Sequence, residues 1–402
     1  MKFRFGAAAL ALALGISPAL AVAPGKASVS DPYAELGRRV FADVGLSASG
    51  RQSCASCHVP AAAHAQDNAL PVQFGGPGLD VSGFRSVPSL RYLSTNLPFS
   101  FADDGTPNGG FNWDGRADSL MEQAERPFLA PHEMANGTRD AMVARLRNAT
   151  YADEFRRLFW PDIFERGDEA FLAALYALEQ FELNAPEFRP FDSKFDYALR
   201  GRTLLNAAER RGKRLFERPD KGNCAACHVS QRGPRGQAPL FTDFTYDNLG
   251  VPRNPLIPAN ADPSYFDLGL CGPTRTDLAG RDDLCGAFKV PTLRNVATRK
   301  VFFHNGRFTS LRDTIRFYTR RDTHPELFYL RRPDGSIDKF DDLPPQYRAN
   351  VNVDEAPYDR LPGEAPRLSE SEIDDLIAFL NTLTDGYDPV RGDANPARNV
   401  AH

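Results

Sequence analysis

The chain has 402 residues, room for two or three domains, and its 42% hydrophobic and 25% charged content is that of an ordinary soluble globular protein. Its formal net charge of −4 lacks the basic excess of a nucleic-acid or anionic-membrane binder.

At the N-terminus, Lys2 and Arg4 precede an apolar run from Gly6 to Ile16. Ala19-Leu20-Ala21 and Ala21-Val22-Ala23 are both acceptable cleavage sites. Residues 1–23 therefore read as a signal peptide, cleaved near residue 21–23, that sends the protein to the periplasm. The run is too short to cross a membrane, and no other segment approaches the ~20 apolar residues a span needs. Without it the chain keeps 46 basic and 52 acidic residues, a net charge of −6.

Residues 24–190 form the first half. Asp31-Pro32-Tyr33 opens a helix that runs through Leu36-Gly37-Arg38-Arg39-Val40-Phe41 toward Cys54-Ala55-Ser56-Cys57-His58. An amphipathic helix from Asp168 to Glu182 closes it, with Phe171, Leu175, Leu178 and Phe181 at helical spacing. Pro186 and Pro190 mark the joint. The same design then returns over residues 191–385. Arg211-Gly212-Lys213-Arg214-Leu215-Phe216 leads into Cys224-Ala225-Ala226-Cys227-His228, and Ser369 to Leu383 closes with Ile373, Leu376, Ile377 and Leu380 on one face. Strand alternation is scarce and Gly/Pro-rich stretches are long. The expected fold is mostly α, with two cytochrome c-like haem domains in tandem and long loops. Residues 386–402 are polar and are expected to be a flexible tail.

C-x-x-C-H is the covalent attachment signal of c-type haem. Two CxxC pairs alone could build a zinc site or a redox-active dithiol. A His directly after both, in an exported repeat, selects two covalently bound haem c groups. Cys54, Cys57, Cys224 and Cys227 would hold them, with His58 and His228 on the irons. Cys271 and Cys285 pair most simply as a disulfide in an oxidising compartment. The four methionines, Met1, Met121, Met134 and Met142, all precede the second motif. The second iron therefore lacks the Met of an ordinary electron-transfer cytochrome from its own half. His304, His324 and Tyr318 are the local candidates.

Asn112-Trp113-Asp114-Gly115-Arg116-Ala117, Phe288-Lys289-Val290-Pro291-Thr292-Leu293-Arg294-Asn295 and Phe303-His304-Asn305-Gly306-Arg307 resemble motifs of the bacterial di-haem cytochrome c peroxidase family. Phe317-Tyr318-Thr319-Arg320-Arg321-Asp322-Thr323 resembles its MauG-type branch, which includes MauG- and MbnH-like proteins. The resemblance implies that the first haem reacts with peroxide and the second is low-spin. It places Trp113 between the rings, Gln123 and Glu133 over the open iron, and Tyr318 on the second iron in the place of Met. A carboxylate such as Glu133 can carry a proton from the inner to the outer peroxide oxygen, whereas Gln123 can only position by hydrogen bonding. Without the resemblance, Glu133 would be an ordinary solvated carboxylate, Trp113 core packing, and Tyr318 the buried face of a short helix capped by Ser310. Trp160 is expected in the core, His304 to hydrogen-bond near a ring edge, and His324 on a polar loop. His64, six residues past His58, is too close to reach the other face of the ring, so the first haem should be open at rest.

The family also binds calcium through an Asn side chain and two backbone carbonyls. By spacing these fall at Ser86, Arg299 and Val301, and the missing amide oxygen weakens a site for a hard cation. Lys221-Gly222-Asn223 offers no aromatic group that could pass oxidising equivalents outward. The implied activity is a periplasmic peroxidase that withdraws electrons through the second haem, from Tyr or Trp side chains of a partner protein. The alternative is a conventional cytochrome c peroxidase fed by a small cytochrome c or cupredoxin. A non-enzymatic di-haem electron carrier is disfavoured by Gln123, Glu133 and the missing methionine.

Overall fold

A computed structural model describes residues 31–400, so the segment read as a signal peptide lies outside the described residues. Helix α1 (Pro32–Ala42) begins at Asp31, whose carboxylate accepts the Tyr33 N–H at 2.9 Å, with Pro32 at a position that needs no N–H. Next come α2 (Cys54–Cys57), α3 (Leu120–Leu129), α4 (Arg139–Arg147), α5 (Ala152–Leu158) and α6 (Gly167–Asn184). The predicted face of α6, Phe171, Leu175, Leu178 and Phe181, is buried with Leu36, Val40 and Phe41 of α1. Each such side chain contributes about 1.5–3 kcal/mol by leaving water. A β carbon on Gly37 would overlap the Ala177 carbonyl oxygen, so the two helices meet at a distance only glycine permits.

The second half repeats this contact. It contains α7 (Lys194–Leu199), α8 (Ala207–Glu217), α9 (Leu311–Arg320) and α10 (Glu370–Asn381). Ser369 and Glu372 close a reciprocal cap on α10, and Leu215 and Phe216 of α8 pack on Ile373, Leu376, Phe379 and Leu380. Gly212 meets the Asp375 carbonyl as Gly37 meets Ala177. Among the described residues the strands are limited to four antiparallel pairs of two residues each: β1 (Phe74–Gly75) with β2 (Val81–Ser82), β3 (Ser100–Phe101) with β4 (Pro107–Asn108), β5 (Tyr246–Asp247) with β6 (Phe288–Lys289), and β7 (Tyr387–Asp388) with β8 (Asp393–Ala394). The fold is mostly helical. None of the described helices is long and apolar enough to cross a membrane.

Buried charge joins the early and late parts of the chain. The fully buried Arg91 guanidinium donates to Asp385 at 3.0 Å and to the Pro396 carbonyl at 3.1 Å. Asp385 also accepts from the Tyr92 hydroxyl at 2.6 Å and from Asn295 Nδ2 at 2.7 Å. Arg294 and Asp196, both buried, form a two-pronged pair at 2.9 and 3.0 Å. Cys271 and Cys285 are bonded to one another.

Two expectations fail here. The segment after Asp385 is not loose through residue 400: it turns through β7 and β8, and Pro396 is buried where its carbonyl satisfies Arg91. Polar composition concealed this because a carbonyl partner leaves no mark on side-chain hydropathy. Trp160 is not core but 47% exposed, because Phe155 and Phe164 fill the adjoining cluster and leave it on the surface beneath Arg166.

Candidate active site

Each C-x-x-C-H segment is wound into one turn closed by the His N–H on the first Cys carbonyl, at 2.9 Å for His58 and 2.8 Å for His228. The first turn is α-helical and the second is 3₁₀. His58 Nδ1 donates to the Pro88 carbonyl at 3.1 Å, and His228 Nδ1 donates to the Phe241 carbonyl at 2.9 Å. A carbonyl partner requires the proton on Nδ1, which leaves the Nε2 lone pair for a metal. Burial lowers both imidazole pKa values, that of His58 to about 4, so both rings stay neutral.

One cavity of about 560 Å³ connects the two motifs, and all four thiols and both imidazoles lie on its wall. Among the described residues no three His, Cys, Asp or Glu side chains converge as they would around a bare metal ion, so the two CxxC pairs do not assemble into a zinc site. Two free thiols and one available Nε2 at each end are the donor set of a covalently attached haem, and these residues fit two such groups.

Trp113, Gln123 and Glu133 all reach this wall. Trp113 sits in a loop fixed from behind, where Asp114 accepts from Arg85 and from Arg116, each at 2.7 Å. The indole Nε1 donates to the Ser86 carbonyl at 2.8 Å, and the Trp113 carbonyl accepts the Lys289 N–H at 2.9 Å. Trp113 is thereby held by its indole from the Ser86 segment and by its backbone from β6. Gln123 projects from α3, whose N-terminus Ser119 caps through the Glu122 N–H at 3.0 Å. Pro127, also on the wall, has no N–H to return to the Gln123 carbonyl. Glu133 follows α3 in a loop held by the Gly76 N–H on its carbonyl at 2.9 Å. A side chain on Gly75 would push into that same carbonyl, so the strand must be glycine there for the loop to close. Burial raises the Glu133 pKa, and Arg116 and Arg126 oppose the rise. These arginines escaped sequence reasoning, although Arg116 lies inside the quoted Trp113 motif.

At the other end, α9 presents Tyr318 to the cavity. Ser310 caps the helix as expected, accepting the Asp313 N–H at 3.3 Å. Burial, with Asp247 and the cysteines of the second motif, pushes the phenol pKa up, while Arg321 opposes it. Tyr358 lies beside it, with ring centroids 6.5 Å apart, and its hydroxyl donates to Asp247 at 3.0 Å. Neither Tyr358 nor Asp247 was found from sequence, because Tyr358 lies in an aperiodic loop and Asp247 in a strand of two residues, too short to show alternation. His304 stacks face to face on Phe288 at 3.5 Å rather than being held by a ring hydrogen bond. His324 pairs with its neighbour Thr323 and is not on the wall. His64 packs against Phe188 at 4.2 Å and is also absent from the wall. Ser86 spends its hydroxyl on the Phe303 carbonyl at 2.7 Å, Arg299 lines the cavity and Val301 is buried.

Glu182 of α6 is a further buried carboxyl on the wall, with Oε2 unpartnered. Burial, aided by Glu179, raises its pKa from 4.5 to about 8. A raised carboxyl pKa contributes stability that is complete below pH 4.5 and is lost as pH climbs to about 8. Glu182→Gln should therefore raise the unfolding temperature at pH 8 and leave it unchanged near pH 4.5, as read by calorimetry at the two pH values.

A family model described as di-haem cytochrome c peroxidase matches residues 31–204. The methylamine utilization protein MauG of Paracoccus denitrificans is 34% identical over 392 residues, which cover 95% of this chain and 96% of that protein. The cytochrome c551 peroxidase of Nitrosomonas europaea is 31% identical over 306 residues, 75% of each chain. Among solved structures, the dihaem peroxidase BthA of Burkholderia thailandensis superposes with a TM-score of 0.81 at 38% identity, covering 91% of this chain and 90% of that one.

Proposed function

Because this chain belongs to the di-haem cytochrome c peroxidase family, in its MauG-type branch, we propose that it works in the periplasm as a peroxidase with two divided tasks. Hydrogen peroxide is reduced at the ring held by Cys54, Cys57 and His58. Cys224, Cys227 and His228 would hold the second haem, with Tyr318 as a further ligand, and this centre would supply the one-electron chemistry that withdraws electrons. The halves 24–190 and 191–385 are the two domains of this division. When bound, the haems supply an iron that takes up peroxide and a second centre for one-electron transfer.

The chain's own residues do the rest. Glu133, as a carboxylate, removes the proton from the inner peroxide oxygen and returns it to the outer one, so that water leaves rather than hydroxide. The Gln123 amide orients the peroxide by hydrogen bonding. Trp113, pinned to both halves, is placed to relay electrons between the rings. A phenolate ligand would favour the more oxidised states of the second centre over the ferrous one, so that it would hold an oxidising equivalent for use on Tyr or Trp side chains of a partner protein rather than take electrons from a small cytochrome. The observation that carries this reading is a single cavity with the Trp113, Gln123 and Glu133 set on the same wall as Tyr318.

Peroxide titration of the fully ferric protein tests it: an oxidised species is expected without any added electron, and its absence until one is supplied would defeat the proposal. In EPR, one high-spin and one low-spin ferric signal are expected, and Tyr318→Phe should change only the low-spin one. An unchanged low-spin signal would remove Tyr318 from the iron. The similarity to the Nitrosomonas peroxidase favours a second reading, peroxide detoxification with electrons from a small cytochrome c or cupredoxin. Rapid steady-state oxidation of reduced cytochrome c would favour that reading. Calcium is weakly held at most, because the Ser86 hydroxyl is committed to Phe303. Dialysis against EGTA should leave the haem spectrum unaltered, and a change reversed by calcium would restore the family's site.

A further inference from the structure

Six cationic side chains reach the cavity wall: Arg85, Arg116, Arg126, Lys289, Arg294 and Arg299. Three have carboxylates of their own. Arg85 pairs with Asp114 and Asp267, Arg116 with Asp114, and Arg294 with Asp196, all within 3.0 Å. Arg126 is exposed. Arg299 and Lys289 differ from all of these.

Among the described residues, Arg299 takes part in no ion pair, and burial alone lowers its pKa to about 10. Lys289 donates to the Gly110 carbonyl and lies over the Phe111 and Phe244 rings, at 5.8 and 5.3 Å, again without a carboxylate. A charged side chain partly withdrawn from water without a counter-charge is unfavourable. The acidic side chains on the wall are Glu133, Glu182, Asp247 and Glu355, and none of them pairs with either cation. The missing anion must therefore arrive with whatever fills the cavity.

Position narrows its identity. The Lys289 N–H donates to the Trp113 carbonyl, Trp113 donates to Ser86, and the Ser86 hydroxyl donates to Phe303, four residues after Arg299. Ser86 also donates its N–H to the His304 carbonyl at 2.7 Å, and Pro88, two residues further on, accepts from His58 Nδ1 at 3.1 Å. Both cations thus stand on the partition between the two motifs, with Arg299 toward the first.

We propose that Arg299 is the seat for the propionate carboxylates of the ring held at Cys54, Cys57 and His58, with Lys289 as a second cationic donor on the same wall. This rests on the two-haem reading. A planar guanidinium can grip a carboxylate through two parallel N–H bonds, which a lysine ammonium cannot reproduce. A fixed cation beside the ring also disfavours its more positive, oxidised state, so Arg299 holds the potential of that haem up.

The test uses the full-length haem-loaded protein with Arg299→Gln and Arg299→Lys. A haemochrome assay first counts haems per wild-type chain. Fewer than two would remove the di-haem reading itself, separately from this proposal. Resonance Raman of the propionate-bending band should then show weakened hydrogen bonding in Arg299→Gln and a smaller shift in Arg299→Lys. Redox titration should show one midpoint moving to lower potential in Arg299→Gln and staying near the wild-type value in Arg299→Lys. An Arg299→Gln protein with its propionate band and both midpoints unchanged overturns the proposal. If that variant is not recovered with haem, an unshifted propionate band in Arg299→Lys overturns it equally.

Discussion

Replacing Glu133 with Gln is expected to slow the reaction of the ferric protein with hydrogen peroxide by about 10²–10⁴-fold, the usual contribution of a positioned proton-transfer group. The amide matches the carboxyl in size and can still hydrogen-bond, but it can neither take a proton from one peroxide oxygen nor return it to the other. The loop that carries residue 133 is held by backbone contacts to Gly76 and Ala130, so the substitution leaves its frame in place. Stopped-flow mixing with peroxide reads the rate, and a loss of less than about tenfold would relieve Glu133 of this role. The pH profile provides an independent check. The working form is the carboxylate, and burial raises its pKa against the pull of Arg116 and Arg126. The rate should therefore fall with decreasing pH at a higher pH than an ordinary glutamate would give. Arg116→Gln should move that limb higher still, and Glu133→Gln should abolish it.

The second large effect falls on stability. Asp385→Ala should cost about 3–5 kcal/mol, because it strands the fully buried Arg91 guanidinium without its carboxylate. The same carboxylate accepts from Tyr92 and Asn295, so two more buried donors lose their partner. Asp385→Asn, which keeps an acceptor oxygen and loses the charge, should cost less. For comparison, the more exposed pair Arg211–Asp375 should contribute far less, because solvent screens it. Urea unfolding of the haem-loaded proteins measures all three, and an Asp385→Ala loss no larger than that of the surface pair would count against the assignment.

The parts of the molecule that repeat were legible in the sequence. Glycine inside Leu36-Gly37-Arg38 and again inside Arg211-Gly212-Lys213, each followed by a motif and a late amphipathic helix, specifies two crossings with the same geometry. Helical periodicity places Phe171, Leu175, Leu178 and Phe181 on the buried side of α6 because burial at 3.6-residue spacing is what that pattern encodes. What the sequence concealed is held by partners far apart in the chain. Tyr358 and Asp247 meet through one hydrogen bond between an aperiodic loop and a strand of two residues, and Pro396 is drawn inward by its backbone oxygen rather than by any side chain. Arg299 could be placed by number, but its lack of a counter-charge becomes visible only when the partners of Arg85, Arg116 and Arg294 around the same cavity are known.

The Arg91 cluster also has a consequence in time. Its two acceptors lie 294 and 305 residues further along the chain. As the protein emerges N-terminus first, the packing of α1 on α6 can form while this guanidinium still has neither partner and must remain in water. Contacts between such distant residues carry a large closure entropy and tend to form late. The seam that buries Arg91 can seal only once Asp385 and Pro396 have arrived, so until then the early half keeps that edge unlatched.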